Sequence, residues 1–343
     1  MKTNAILITG AGGYIGSEMT GFFLDAGYSV KALDRFFFGK NVLQKYTSHP
    51  NLEIIVEDIR YCPKKVFAGV YAVIDLAGLS NDPTAEINPR LTEEINLNGS
   101  MRVAGLAKQS GVRRYLFASS CSVYGHGVNI RLTEESSLSP ASLYAKVKIE
   151  AEKALMQLSD NQFIVTILRN ATCYGLSQRM RFDLAVNLMT LHAYKNGKII
   201  VTGGGQQWRP LIHIHDVSRA YQSVLEAEQQ VVQGQVFNVG SDVQNYQVAQ
   251  IAHITKTLFP QIVIEYAPDD ADKRDYNVSF EKITHTFNFK PSKRVQDGVA
   301  EIKQALEEGR INYDAKTVTV QYYKYLIDAD KALEEVKYKG KLF

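Results

Sequence analysis

Tyr144 and Lys148 stand four residues apart in Tyr144-Ala145-Lys146-Val147-Lys148. That spacing puts both side chains on one face of a helix. An ammonium held near a phenol favours the phenolate, so Tyr144 reads as a base able to work near neutral pH. Ser119-Ser120, upstream, offers a hydroxyl to the same oxygen. At the start of the chain, Gly10-Ala11-Gly12-Gly13-Tyr14-Ile15-Gly16 can present backbone N–H groups to a diphosphate. A base, a hydroxyl partner and a dinucleotide loop together equip a protein for hydride transfer at a secondary alcohol.

The elements that must position these groups are legible as a rhythm. Short apolar runs predict strands at Ala5–Thr9, Tyr28–Leu33, Leu52–Val56, Tyr71–Leu76, Arg114–Ala118 and Phe163–Leu168. Helical patterns lie between them, over about Ile15–Ala26, Pro89–Ser110 and Ser142–Leu158. Alternation of this kind predicts an α/β fold, a Rossmann-type doubly wound parallel sheet. Ligands of such sheets sit beyond the carboxyl ends of the strands, where each chemistry-bearing residue falls. After Arg169 the rhythm changes. Short strands at Ile199–Thr202, Leu211–Ile214 and Val236–Val239, and helices around Phe182–Lys195, Val248–Leu258 and Thr317–Val336, predict a smaller α/β substrate-binding domain. The expected division is 1–170 for the dinucleotide and 171–343 for substrate and a helical tail, with some later segments returning to the main sheet.

Composition narrows the function. The chain has 343 residues and a formal net charge of +3, with bases scattered among acids, which excludes a nucleic-acid surface. No apolar run approaches the roughly 20 residues that span a bilayer. Met1-Lys2-Thr3-Asn4 runs straight into a strand, which predicts no signal peptide. Cys62, Cys121 and Cys173 are odd in number and widely spaced, against a disulfide framework or zinc site and in keeping with a cytoplasmic protein. No metal is expected; His213 and His215 read as hydrogen-bonded structural histidines rather than ligands.

Gly10, Gly13 and Gly16 give a Gly-x-x-Gly-x-x-Gly spacing between a strand and a helix, with an acid, Asp34, ending the second strand. A carboxylate there accepts both ribose hydroxyls of NAD and repels a 2′-phosphate, so NAD is the expected cofactor, although Arg35 leaves NADP open. Asp58-Ile59-Arg60 ends the third strand; Asp58 either meets the adenine or caps a helix. Ala77-Gly78 presents small residues where a cofactor would press on the backbone, and Asn96 braces the adjacent loop.

These residues, together with Ser119-Ser120-Cys121-Ser122-Val123-Tyr124-Gly125, resemble the extended short-chain dehydrogenase/reductases, and within them the nucleotide-sugar epimerase/dehydratase branch. The likeness runs in order from residue 5 to about 310. It implies Tyr144 as catalytic base, Lys148 as its charge partner and ribose ligand, and Ser120 as hydroxyl partner. It implies cofactor contacts from the glycine loop with Tyr14 and Ile15, and from Asp34, Arg35, Asp58, Ile59, Leu76, Ala77, Gly78, Asn96 and Ser119. For a nucleotide-diphosphate sugar it implies contacts from Ser80, Ser120, Cys121, Ser122, Asn170, Thr172, Arg181, Asn187, Arg209, Asp272 and Arg274. Arg209 begins an Arg-x-x-x-His-x-x-Asp segment ending at Asp216, whose arginine holds a substrate diphosphate in relatives; Asp216 is expected to cap the following helix. Asp272-Lys273-Arg274 reads equally as nucleotide contact or solvated loop.

Two departures bear on the reaction. The 4,6-dehydratases of this branch carry an Asp-Glu pair after the catalytic Ser/Thr, whereas this chain has Cys121-Ser122 and lacks that general acid. Thr172 stands where the branch usually has a substrate-binding asparagine. Cys121 reads as a packing residue, because relatives that use a cysteine carry it at the position of Ser122. The resemblance implies an oxidoreductase acting at C4 of a hexose, most simply a 4-epimerase, with a net 4-dehydrogenase or 4-ketoreductase as the alternative. A dehydratase and a non-enzymatic NAD-binding protein rank below these. It also implies a homodimer through the helices near 89–110 and 142–158.

Overall fold

A computed structural model describes residues 5–268 and 275–342. Seven strands form the central parallel sheet, in the spatial order Gln235–Val239, Ile164–Asn170, Arg114–Ser120, Val70–Asp75, Ala5–Thr9, Ser29–Asp34, Leu52–Val56. The order reverses beside Ala5–Thr9, so the glycine loop that follows this strand lies at the switch point where such sheets open a crevice. The chain thus folds as the Rossmann-type α/β protein expected from its pattern. The seventh strand comes from the second half of the chain and pairs with Ile164–Asn170.

The apolar runs are unbroken because both faces of the sheet are covered. Ile6, Ile8, Ala32, Ile74 and Leu168 pack on one side against Met19, Phe23, Val217, Tyr221 and Val224. Leu7, Leu33, Val73, Phe117 and Ile167 pack on the other against Val103, Ala104, Ala107, Ala151 and Leu155. Each fully buried aliphatic or phenylalanine side chain contributes on the order of 1.5–3 kcal/mol. A third cluster, around Tyr174, Val186, Ile199, Leu211, Ile251 and Val299, belongs to the second half of the chain. Its strands are short: Trp208–His213 pairs with Thr172–Tyr174 and with Asn245–Gln247.

Three local expectations are corrected. The pattern over 89–110 suggests one helix, but the segment holds a short helix at Pro89–Glu93, a π-helical turn at Glu94–Gly99 and a helix at Ser100–Gln109. The wider turn carries the buried Asn96, and such turns often mark functional positions. Secondly, Asp216 caps nothing: His213 is the N-cap of the Ile214–Glu226 helix. The wholly buried Asp216 carboxylate accepts from the Ser292 and Lys293 N–H groups and from the Ser292 hydroxyl, and pairs with Arg219 at 2.7 Å. It ties down a distant segment, a pairing that no local spacing encodes. Thirdly, Ser119 does not face the dinucleotide, for a reason given next.

The helix Leu143–Met156 starts at Ser142, whose hydroxyl accepts from the Ala145 N–H at 3.2 Å. Tyr144, Lys148 and Glu152 recur every fourth residue and form one stripe on it. Glu152 is buried and meets Arg169 at 2.7 Å; Arg169 also donates to the Tyr124 hydroxyl at 3.0 Å, and Tyr124 donates to Asn238 at 2.7 Å. The Ser119 hydroxyl donates to Glu152 as well. Adjacent strand residues point to opposite faces, so Ser119 anchors the helix beneath the sheet while Ser120 faces the ligand side. Replacing Glu152 by Gln strands a buried guanidinium, a change that costs about 3–5 kcal/mol. Urea unfolding of Glu152→Gln is expected to report a loss of that size, and a Glu152→Met/Arg169→Met double variant a smaller one.

Candidate active site

Tyr144 is half-buried at the carboxyl end of the sheet and hydrogen-bonded to Ser120. The Ser120 hydroxyl also accepts from the Ser122 N–H at 3.2 Å. The Lys148 ammonium lies 5.9 Å from the Tyr144 ring centroid and donates to the Ala118 carbonyl at 2.7 Å. Electrostatics here differ from the reading of the tyrosine–lysine pair alone. Burial, then the nearby Asp82, hold the Tyr144 phenol above its ordinary value, against the opposing effects of Arg181 and the Ser120 hydrogen bond. Burial also lowers Lys148 to about 8, with Asp75 and Glu152 resisting the shift. In this state burial of the phenol, rather than the charge of Lys148, sets the direction of its shift.

The glycine loop is built for close approach. Gly10 adopts a φ of +71°, and a Cβ on Gly16 would stand 2.1 Å from the Gly10 carbonyl oxygen. Gly13 is the N-cap of the Tyr14–Asp25 helix and supplies no side-chain cap. The N–H groups of the first turn, from Tyr14, Ile15 and Gly16, therefore have no intrahelical partner and stand ready for an anion. The Tyr14 side chain points elsewhere: its hydroxyl donates to the Gly175 carbonyl at 2.7 Å and accepts from Asn187 at 3.1 Å. Tyr14 can offer only its backbone. Asp34 accepts the Gly12 N–H at 3.0 Å and the Phe36 N–H at 2.5 Å, which partly offset the upward pull of burial on its carboxyl. The carboxylate is thereby aimed at the loop, as a ribose ligand must be.

Neighbouring candidates divide into those that face the groove and those committed to structure. Asp58 pairs with Arg60 at 2.7 Å and with Arg35 at 3.0 Å; burial works against its charge, yet these hydrogen bonds hold the carboxyl at about 2. Its Oδ1 accepts from the Arg60 N–H at 2.9 Å, an Asx turn rather than a helix cap. Arg35 is exposed and turned to Asp58 and the Phe37 ring. Ile59 is buried in the core beside Leu7 and Leu33. Leu76 and Ala77 donate their N–H groups to Thr9, which leaves only their carbonyls and small surfaces toward the groove. Asn96 exchanges both amide hydrogen bonds with the Leu79 backbone, at 2.8 and 3.0 Å, and so shapes the loop after Gly78.

On the substrate side, Arg181 pairs with Asp183 at 2.9 Å and donates to Ser80 at 3.3 Å. Asn81 donates to Asp183 at 2.9 Å, and Ser142 bonds Asp82. These contacts clip the 80–82 loop across the start of the tyrosine-bearing helix. Asn170 donates to the Tyr221 hydroxyl at 2.9 Å, while its Oδ1 and the Ser122 hydroxyl are buried without partners, polar atoms that suit a ligand. Thr172 is half-buried on its short strand. Two candidates, Cys121 and Asn187, are drawn away from a ligand. Cys121 is buried, its thiol bonded to the Arg169 carbonyl and pushed far up by burial. Asn187 spends its amide on Gly175, Tyr14 and the Arg181 carbonyl. Arg209 is buried and donates to the Trp208 carbonyl at 2.8 Å. His213 bonds Glu301 at 2.7 Å, and no group of three potential ligands capable of holding a metal occurs among the described residues. Asp272 and Arg274 lie outside the described residues. Glu152, Asp183 and the C-terminal aromatic residues escaped the sequence reading. The four-residue spacing of Glu152 from Lys148 is the one signal that pointed to any of them.

An uncapped helix start, a glycine cradle and an inward carboxylate at the sheet's switch point, together with a Ser–Tyr–Lys set, are the features of a dinucleotide-dependent enzyme. Residues 6–240 match the model of the NAD dependent epimerase/dehydratase family, and the chain belongs to that family; NAD is its cofactor. The chain is 26% identical over 289 residues to UDP-glucuronic acid decarboxylase 1 of Xenopus tropicalis, covering 81% of this chain and 66% of that one. It is 27% identical over 234 residues to a putative UDP-glucose 4-epimerase of Methanocaldococcus jannaschii, covering 66% and 75%. The chain thus spans about two thirds of the length of the decarboxylase. Its fold is that of UDP-glucuronic acid 4-epimerase from Bacillus cereus, solved with UDP-glucuronic acid and NAD, with a TM-score of 0.78, 21% identity and coverage of 89% and 99%. No helix among the described residues is long and apolar enough to cross a membrane.

The depressed Lys148 has a measurable consequence. Its ammonium deprotonates at about 8 in the folded chain against 10.5 as the ordinary value. Between these values the unfolded chain binds more protons, so stability rises with pH through this window and the contribution is flat below it. Denaturant unfolding across that range is expected to show a steeper rise for the native protein than for Lys148→Met.

Proposed function

We propose that the chain is a nucleotide-sugar oxidoreductase acting at C4 of a hexose, most simply a 4-epimerase that passes through a 4-keto sugar. The observation that carries this reading is the Ser120–Tyr144 hydroxyl pair beside the dinucleotide loop, with Cys121-Ser122 in place of an acidic pair. NAD, when bound, supplies the hydride acceptor and donor. Tyr144, ionised in the liganded site, takes the C4 hydroxyl proton and later returns one to the same oxygen. Ser120 donates a hydrogen bond to that oxygen and holds it against the phenol. Lys148 donates to the Ala118 carbonyl and places a positive charge behind the ring, where it stabilises the phenolate that this proton transfer requires. Arg181, buried beside Tyr144, favours the same charge. Removal of water across C5 and C6 would need a general acid next to Ser120, and Cys121 is too buried and too weak an acid to serve.

A second reading is favoured by the UDP-glucuronic acid decarboxylases among the relatives. Oxidation of a uronic acid at C4 makes the carboxylate a β-keto acid; carbon dioxide leaves with cleavage of C5–C6, the resulting enolate takes a proton at C5, and the hydride first removed returns to C4. Both reactions use the same opening proton transfer, so they part only in product. The protein is expected to assemble as a dimer through the helices at 89–109 and Leu143–Met156, which light scattering tests.

The purified protein, incubated with UDP-, GDP-, dTDP- and CDP-sugars and their uronic acids, is expected to give a product of unchanged mass and altered C4 configuration by mass spectrometry and NMR. Loss of carbon dioxide selects the second reading; inertness toward every sugar overturns both. Tyr144→Phe is expected to lower kcat on the order of 10²–10⁴-fold with the melting temperature unchanged. Full turnover in that variant removes Tyr144 from the mechanism.

A further inference from the structure

Arg179 is a buried cation that lacks an ionic partner. It is 4% exposed. One Nη donates to the Thr319 hydroxyl at 2.9 Å, and the guanidinium lies 3.6 Å over the Phe38 ring. Its Nε has no hydrogen-bond partner. Arg181, two residues on, is neutralised by Asp183 at 2.9 Å, whereas no carboxylate pairs with Arg179 among the described residues. Burial, and then the like charge of Arg181, push the Arg179 guanidinium down to about 10, still cationic at neutral pH. An unpaired buried charge is costly and marks a place prepared for a counter-charge.

The location identifies the counter-charge. The Arg179 N–H donates to the Ser177 hydroxyl at 3.3 Å. That hydroxyl in turn donates to the Tyr14 carbonyl at 2.7 Å and meets the Ser17 hydroxyl at 3.1 Å. The arginine therefore rises from a loop stitched to the first turn of the uncapped Tyr14–Asp25 helix. Its charge is felt at Asp34, the ribose acid, and by Tyr14 in the helix start. Phe38, beneath the guanidinium, lies four residues past Asp34 in the chain.

We propose that Arg179 is a ligand of the cofactor's diphosphate, completing from above the anion site that the glycine loop builds from below, and that the C-terminal helix holds it there. Thr319 is the bond; Tyr322 and Tyr323 are the packing. Their rings lie 5.4 and 5.6 Å from Phe38, and Tyr323 lies 5.8 Å from Phe37. The Phe182 N–H donates to the Thr317 carbonyl at 2.8 Å, which closes the same seam. The last helix is thus a clasp on the cofactor groove, and Thr319 and Tyr323 are positioning residues. A guanidinium fork suits a diphosphate better than an ammonium does. A sugar nucleotide carries a diphosphate too; the links to Tyr14, Ser17 and Asp34 assign Arg179 to the dinucleotide. The inference rests on the NAD groove described above.

Titration calorimetry with ADP-ribose and UDP, and ligand-observed NMR with adenosine, test this on the full chain and its Arg179→Gln, Arg179→Lys and Thr319→Val variants. Arg179→Gln is expected to weaken ADP-ribose by about 10–100-fold and to leave adenosine within about twofold, with Lys recovering part of the loss. Thr319→Val is expected to weaken ADP-ribose by a few-fold through a faster dissociation rate. Equal loss of adenosine and ADP-ribose would show a structural role and overturn the proposal. Weakening of UDP alone assigns the arginine to the substrate and also overturns it, as does unchanged ADP-ribose binding. If Arg179→Gln does not fold, the Lys and Thr319→Val variants carry the same comparison. Failure of the unaltered protein to bind ADP-ribose removes the groove itself, a result distinct from binding that Arg179 does not influence.

Discussion

The buried contact of Glu152 with Arg169 and Ser119 sets the geometry on which the site depends. It joins the tyrosine-bearing helix to two adjacent strands of the sheet at their carboxyl ends. Because Tyr144, Lys148 and Glu152 share one stripe, fixing the last of them fixes the rotation of the helix about its axis. The phenol then meets Ser120, and the ammonium meets the Ala118 carbonyl. An isolated pair of buried charges is weak evidence for net stability. Here the remaining hydrogen-bond capacity of Arg169 is met by Tyr124, so the cluster is satisfied and directional.

Burial governs the electrostatics of the groove in one consistent direction. Tyr144 is kept neutral, Lys148 is made easier to deprotonate, and Arg179 is left without a counter-ion. These groups are arranged for charges that arrive with ligands or develop during reaction. A preorganised, water-poor site makes such charges worth more than they would be in solvent. The cost falls on the unliganded protein. The structural clusters at Glu152, Asp216 and Asp75 are compensated, which separates groups that hold the fold from groups that await a ligand.

The two halves of the chain contribute unequally to specificity. The residues proposed to handle the proton and the dinucleotide lie at the strand ends. The loops at 80–82 and 177–183 are interlocked through Arg181, Asp183 and Asn81, and they bound the space in front of Tyr144. Thr319 bonds both Arg179 and Asp183, so the C-terminal helix touches the cofactor side and the substrate side through one hydroxyl.

The sheet, the glycine loop, the acid that ends the second strand and the Tyr144–Lys148 pair were legible from local spacing: apolar runs, glycines at a strand–helix turn, and two side chains one helical turn apart. The family resemblance, not local spacing, singled out Ser120, and spacing could not show that Ser119 is committed to Glu152, nor that Asp58, Asn187 and Cys121 are spent on partners 2, 173 and 48 residues away. The sequence placed Asp216 as a local cap, where the tertiary structure uses it to hold Ser292 and Lys293. It read Lys148 as favouring the Tyr144 phenolate, whereas in the unliganded chain burial raises the phenol. Burial and long-range hydrogen bonding are properties of the folded chain, summed over neighbours that the sequence does not list side by side. Only the tertiary structure could decide which charges are satisfied and which are left waiting.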